Sequence, residues 1–297
     1  MRLRLAVCAC VLLAAGRAGA CQVPVFRFAL EQWQPGRYEL LVFHRGPLGP
    51  EAKALLDELE KRGERLNVLV TPVDLDQKPL RADRKAVWES QKDTALPRAV
   101  LRMPNSTPEM PPVWSGPLEE KALRAVTASA ARAELAARLT KGESAVFVLL
   151  ESGDRKADDA AAKMLGGELA RLGKVLKLPE QDPLAEGPKV VSPLPLHVKF
   201  SVLRVRRDDA AEQALVRCLL AGEQGLAEAK GPVVFPVFGR GRVLTGLHGD
   251  LLEPAVVEEV GRFLCGQCSC TVKELNPGWD LLTDFDWHAA VFPEPKR

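Results

Sequence analysis

Two stretches of the sequence open in the same way, and nothing else limits the fold as much. Tyr38-Glu39-Leu40-Leu41-Val42-Phe43-His44 reads as a buried strand between Pro35-Gly36 and Gly46-Pro47, and Ser144-Ala145-Val146-Phe147-Val148-Leu149-Leu150 repeats that pattern later in the chain. After the first run, residues 51–62 carry Leu55, Leu56 and Leu59 at helical spacing, and residues 67–74, beyond Gly63, form a second apolar run. Strand, helix, strand implies a parallel βαβ unit with a right-handed crossover. A charged helix over 84–91 follows, then a strand over 98–103 introduced by Pro97. A short edge strand at Trp114-Ser115-Gly116-Pro117 and one Ala-rich helix over 119–139 complete the set.

The second run is followed by a helix over 157–172, a Pro-rich exposed loop over 179–195, a strand over 197–205 and a helix over 208–220 with Asp208 or Asp209 as N-cap. Residues 231–238 and 242–246 then read as a hairpin around Gly239-Arg240-Gly241, and 253–264 as a closing helix. A short amphipathic helix is expected at 28–33, ahead of both sets. A chain of 297 residues has room for the two domains that this repeated order implies.

The order β-α-β-α-β-β-α resembles the thioredoxin fold. In the first half Val73-Asp74-Leu75-Asp76 resembles the aspartate-bearing end of that family's central strand, Leu96-Pro97 stands where it places a cis-proline, and Gly116 resembles the glycine before its last helix. In the second half Gly231-Pro232 holds the cis-proline position, and Phe238-Gly239-Arg240-Gly241-Arg242 resembles the terminal hairpin. The resemblance implies an α/β chain of two tandem thioredoxin-like domains, each a mixed central sheet flanked by helices, at 36–140 and 143–265. Residues 1–20 are then a signal peptide, 21–35 an N-terminal segment and 266–297 a Cys-containing C-terminal tail. The segment Cys21 to Trp33 and the tail from Cys270 to Gly278 also resemble uncharacterised exported proteins of planctomycete-type bacteria, a likeness that implies no activity.

The family's catalytic Cys-x-x-Cys follows the first long strand, where a helix N-terminus lowers the thiol pKa. Here the two corresponding windows are Arg45-Gly46-Pro47-Leu48 and Ser152-Gly153-Asp154-Arg155, and neither holds a cysteine. Ordinary thioredoxin activity therefore does not carry over.

Arg2 and Arg4, the apolar run from Leu5 to Ala15 and the small residues Ala18-Gly19-Ala20 form an export signal, so the expected destination is the periplasm or outer envelope. Cys21 follows the small residues as the acylated cysteine of a bacterial lipoprotein does, although Ala18 stands where a leucine is usual. Lipid anchoring at Cys21 and simple cleavage after Ala20 both remain open. Such a compartment permits disulfides.

Cys265, Cys268 and Cys270 lie within Cys265-Gly266-Gln267-Cys268-Ser269-Cys270, and Cys218 lies in a helix upstream. Three readings stay open: disulfides that clasp the tail to the second domain, a redox Cys-x-x-Cys, and a soft-metal site for zinc or copper(I). The third would draw on Cys265, Cys268 and Cys270, with Cys218 or His288 as a fourth ligand. Against the redox reading, Cys265 falls at the C-terminal end of a helix, where the macrodipole disfavours a thiolate.

The remaining residue types point to no further chemistry. His44, His197, His248 and His288 are scattered, no Gly-x-Ser-x-Gly elbow occurs, and Gly239-Arg240-Gly241 is better read as a turn than as a phosphate loop. Asp280, Asp284 and Asp286 alternate with aromatic residues but lack the glycine and glutamate of a calcium loop. Trp279 and Trp287 are expected to dock the tail into a groove of this chain or of a partner. The net charge of +2, with acids interleaved among bases, argues against nucleic acid. Two functions are expected in turn: a non-enzymatic exported envelope protein, without a cofactor, that presents redox-inert domains to an envelope partner; or a thiol-disulfide or soft-metal handling protein using the cysteine cluster.

Overall fold

The computed structural model describes residues 22–182, 184, 186–268 and 272–294. The chain is α/β, with two mixed sheets of the same internal order. The first is β2-β1-β3-β4, formed by β1 (Tyr38–His44), β2 (Val68–Asp74), β3 (Arg98–Arg102) and β4 (Trp114–Pro117). The second is β6-β5-β7-β8-β9, formed by β5 (Ala145–Glu151), β6 (Phe200–Arg206), β7 (Val233–Phe238), β8 (Arg242–Val243) and β9 (Trp279–Asp280). In each sheet the first strand is central. β1 runs parallel to β2 and antiparallel to β3, and β5 runs parallel to β6 and antiparallel to β7. Continuous apolar runs suit such positions, because both faces of a central strand are covered.

Side chains alternate across each strand, and the two faces enter different cores. Leu40 and Val42 of β1 share a core with Val146, Val148 and Leu150 of β5, whereas Leu41 and Phe43 face away. The layer between the sheets holds α2 (Pro50–Lys61), α4 (Glu120–Thr127), α5 (Ala130–Thr140) and α7 (Gln213–Leu220). Outside the first sheet lies α3 (Ala82–Glu89), through Val87 and Trp88. Outside the second lie α6 (Arg155–Val175) and α8 (Pro254–Cys265), packed on Phe147 and Leu149. The units are therefore stacked the same way up: the first turns its α2/α4 face inward, and the second turns the equivalent α6/α8 face outward.

Both flanking segments complete the second unit. Helix α1 (Val25–Gln32) packs Val25, Phe26 and Phe28 into the outer core, and Val25 N donates to Gly266 O at 3.0 Å. Ala29 lies so close to Gly239, at φ +57°, that a Cβ there would come within 2.7 Å of it. The tail supplies β9 and then α9 (Trp287–Val291), whose Trp287 and Val291 are buried between the sheets. It also meets the first unit: Phe285 N donates to Arg65 O at 2.8 Å, and Leu66 pairs with Asp284.

One expected element is divided. The helix read over 119–139 is two helices, α4 and α5, parted at Ala128-Ser129. Ser129 takes an extended conformation (φ −160°) and its Oγ accepts from Arg132 N at 3.0 Å. The Glu212 carboxylate sits on the same helix start, accepting from the Ser129 hydroxyl and from Ala131 N. An anion at a helix N-terminus stabilises the new start, so a long-range contact outweighs alanine's helix propensity.

Candidate functional site

The two units carry a groove in the same topological place, between the helix after the central strand, the proline before the third strand, and the turn into the last helix. In the first unit the walls are the start of α2, Pro97, and Leu118 with Glu119 and Glu120, enclosing about 880 Å³. The Leu96–Pro97 peptide is cis, as is Lys78–Pro79. Pro50 opens α2 at a position where the missing N–H leaves no bond unmade. Glu51, Glu58, Glu119 and Glu120 all line this groove, all exposed, and no lysine or arginine does. Glu120 also pairs with Arg124.

The second groove, of about 460 Å³, has a different lining: Ala157, Ala161 and Met164 of α6, Pro232, and Leu252, with His248 beside them. The Gly231–Pro232 bond is not cis, which corrects the expectation for Pro232. Arg207 fixes this turn by donating to Ala229 O at 2.8 Å and to Gly231 O at 3.4 Å.

Neither turn that follows a central strand holds a cysteine, and the polar groups there are bonded within the protein. In the first, Arg45 pairs with Asp76 at 2.5 Å, and Gly46 turns the chain at φ +58°. In the second, the Asp158 carboxylate accepts from Ser152 N (2.8 Å), Ser152 Oγ (2.8 Å) and Gly153 N (3.1 Å), while Asp154 caps Lys156 N and Ala157 N. The amides that would stabilise an anion at the start of α6 are bonded to the protein's own carboxylates.

No family model, curated protein or solved structure matches the chain.

Cys218, Cys265 and Cys268 line neither groove. Cys218 is buried in the core between the sheets and Cys268 in the core outside the second sheet, so a sheet separates them. Cys218 and Cys265 are free thiols, and Cys270 and Cys21 lie outside the described residues. Among the described residues no three His, Cys, Asp or Glu side chains gather into a metal-holding group. His288 is exposed on α9, stacked at 5.4 Å on Phe292. Burial pushes the Cys265 thiol up to about 12. It also raises Cys218, against the opposing pull of Tyr38 and Arg132, and raises Tyr38 well above the usual phenol range.

These three groups stay neutral in the folded state over a range in which the unfolded chain ionises. Their stabilisation is complete below about pH 9, the ordinary thiol value, and is lost as pH rises from there toward 12. Urea unfolding at pH 7, 9 and 11 should show stability falling only across the upper interval, by up to about tenfold in the folding constant per pH unit per group. Cys218→Ala together with Cys265→Ala should flatten that slope.

Trp279 and Trp287 dock on their own chain. Trp279 Nε1 donates to Cys218 O at 3.0 Å over Gly222, where a Cβ would come within 1.9 Å of the indole; Trp287 Nε1 donates to Thr283 Oγ1 at 3.2 Å. The three tail aspartates have structural partners: Asp280 accepts from Gly36 N and pairs with Lys273, Asp284 pairs with Arg62, and Asp286 caps α9. Sequence reasoning missed the glutamate groove. The available signal was Glu119-Glu120 directly after Gly116-Pro117-Leu118, at the turn that faces Pro97.

Proposed function

We propose that the protein is an exported, redox-inert binding module of two thioredoxin-like domains, and that the groove beside Pro97 holds an extended, basic protein segment. The shared strand order, central parallel pair and cis-proline at the start of β3 support the domain reading. The observation that carries the function is the groove itself: open, flanked by the cis-proline, lined by four glutamates, and without a thiol. Clustered carboxylates around a concave wall attract and orient lysine or arginine side chains, and main-chain bonding along an extended segment is sequence-tolerant. Export, whether it ends in a lipid anchor at Cys21 or in cleavage after Ala20, would put this groove toward an envelope partner.

Fluorescence anisotropy with a labelled Lys-Val-Lys-Val-Lys peptide tests this reading. Binding is expected to weaken steeply with salt and to fall by about tenfold or more in Glu51→Gln/Glu119→Gln, whose melting temperature falls only slightly because each substitution removes one carboxylate at a helix start. Binding that ignores both changes, or reduction of insulin disulfides by the wild-type protein, would overturn it. Cys268→Ser should leave peptide binding intact. Stoichiometric zinc or copper in the purified protein, lost in that variant, would instead favour soft-metal handling by Cys265, Cys268 and Cys270.

A further inference from the structure

The second unit carries a crevice of opposite character at the carboxyl ends of its parallel strands. From β5 the chain leaves to α6 on the outer face, and from β6 it leaves toward α7 on the inner face. Adjacent parallel strands whose connections part in this way open a crevice at their ends, where open α/β sheets commonly bind ligands. This crevice encloses about 460 Å³ and is lined by Arg155, Arg204, Arg206 and Arg207 around Ser152-Gly153, with the carboxylates of Glu151, Asp158 and Asp208 among them. The corresponding end of β1 and β2 in the first unit has no such arginine cluster, its Arg45 being paired with Asp76.

The arginines are held loosely or pointed inward. Arg155 is 94% exposed and reaches Asp159 only at 3.7 Å, and Arg206 pairs with an equally exposed Asp208. Exposed pairs of this kind contribute little, so a ligand carboxylate can replace Asp208 on Arg206 at small cost. Arg204, paired with Glu151 and Asp159, is committed to the protein. Arg207 Nε is buried without a hydrogen-bond partner among the described residues, while its terminal nitrogens bond Ala229 O and Gly231 O. Those two carbonyls belong to residues that wall the apolar groove beside Pro232. Arg207 thus stands where the groove meets the crevice, and a chain lying along Ala157, Ala161 and Met164 would end against guanidinium groups.

We propose that groove and crevice together bind the free C-terminal end of an apolar peptide, its side chains on α6 and its carboxylate on Arg155, Arg206 and Arg207. The small floor residues let a backbone approach closely, Met164 adapts to varied side chains, and the guanidinium fork matches a carboxylate. The site belongs to the second unit and is independent of the glutamate groove.

The test uses a fluorescein-labelled Ala-Val-Ala-Leu-Val peptide in two forms, free acid and C-terminal carboxamide, titrated with the whole protein. The free acid is expected to bind about tenfold more tightly than the amide. That preference should shrink to less than about threefold in Arg155→Gln/Arg206→Gln, which leaves Arg207 in place. Ala160→Arg, an exposed change beside the groove floor, should weaken both forms. Equal binding of acid and amide, or binding of neither, would overturn the proposal. So would inorganic phosphate that binds with the same arginine dependence while neither peptide does, since the crevice would then hold only a bare oxyanion. A null result with the Lys-Val-Lys-Val-Lys peptide concerns the other groove and leaves this outcome unaffected.

Discussion

Arg27→Ala is expected to lower the unfolding free energy by about 3–5 kcal/mol, measured by urea denaturation at neutral pH. Arg27 is fully buried on α1, and its Nε donates to Glu31 Oε1 at 2.7 Å, one turn away. Its Nη2 reaches Ser192 O at 2.6 Å and Leu194 O at 2.9 Å, in the Pro-rich loop. Glu31 in turn accepts from Val191 N and Ser192 N. The pair holds a loop without secondary structure against a helix far away in sequence. Burial lowers the Arg27 pKa and Glu31 opposes that shift, so the charge is kept by its partner. Removing the arginine alone leaves a buried carboxylate and two carbonyls without their donor, which costs more than the pair contributes. Arg27→Met/Glu31→Leu, which removes both charges, should recover part of the loss. A double variant no more stable than Arg27→Ala would show that the cost comes from lost packing and not from the stranded carboxylate.

Asn67→Leu is expected to cost about 3 kcal/mol and to make the tail accessible to protease before global unfolding. Asn67, just before β2, is a three-way clamp. Its Nδ2 donates to Gly36 O (2.8 Å) and Leu281 O (3.0 Å), and its Oδ1 accepts from Thr283 N (2.7 Å). Leucine keeps the branched shape but is bulkier and offers none of these bonds, so two buried main-chain groups and the half-buried Gly36 carbonyl lose their partner at once. Hydrogen exchange would locate the damage. Amides of residues 279–285 should lose protection while β5 and β7 keep theirs, whereas uniform loss across the second sheet would mean that the tail unfolds only with the whole.

The strands were the most legible part of this fold. β1 matches its expected bounds because the apolar run Leu40–Phe43, between Pro35-Gly36 and Gly46-Pro47, is too short for a helix and is buried on both faces. The hairpin turn was legible too, since Gly239 and Gly241 both adopt positive φ. The parting of α4 and α5 was not. Its cause, Glu212, lies 83 residues beyond Ser129 and leaves no local mark. Strand β9 is only Trp279–Asp280, too short for any alternation to show, and it exists because the edge of β8 accepts it. The cysteine cluster drew attention by its density, yet burial keeps Cys265 protonated. The grooves went unread because each is assembled from three separated stretches, none of which carries an unusual composition.

The placement of α1 on the second unit has a consequence for the order in which the chain folds as it is made. Synthesis delivers α1 before both sheets, but the Gly266 carbonyl that receives Val25 N, and the β7 and α8 residues against which Phe26 and Phe28 pack, emerge only after the first unit and most of the second. The segment at α1, apolar and unpaired in the meantime, stays exposed through most of synthesis. The first unit can meanwhile close its own sheet from consecutive strands. Folding is thus ordered by emergence: the middle of the chain closes early, and the two ends are joined last.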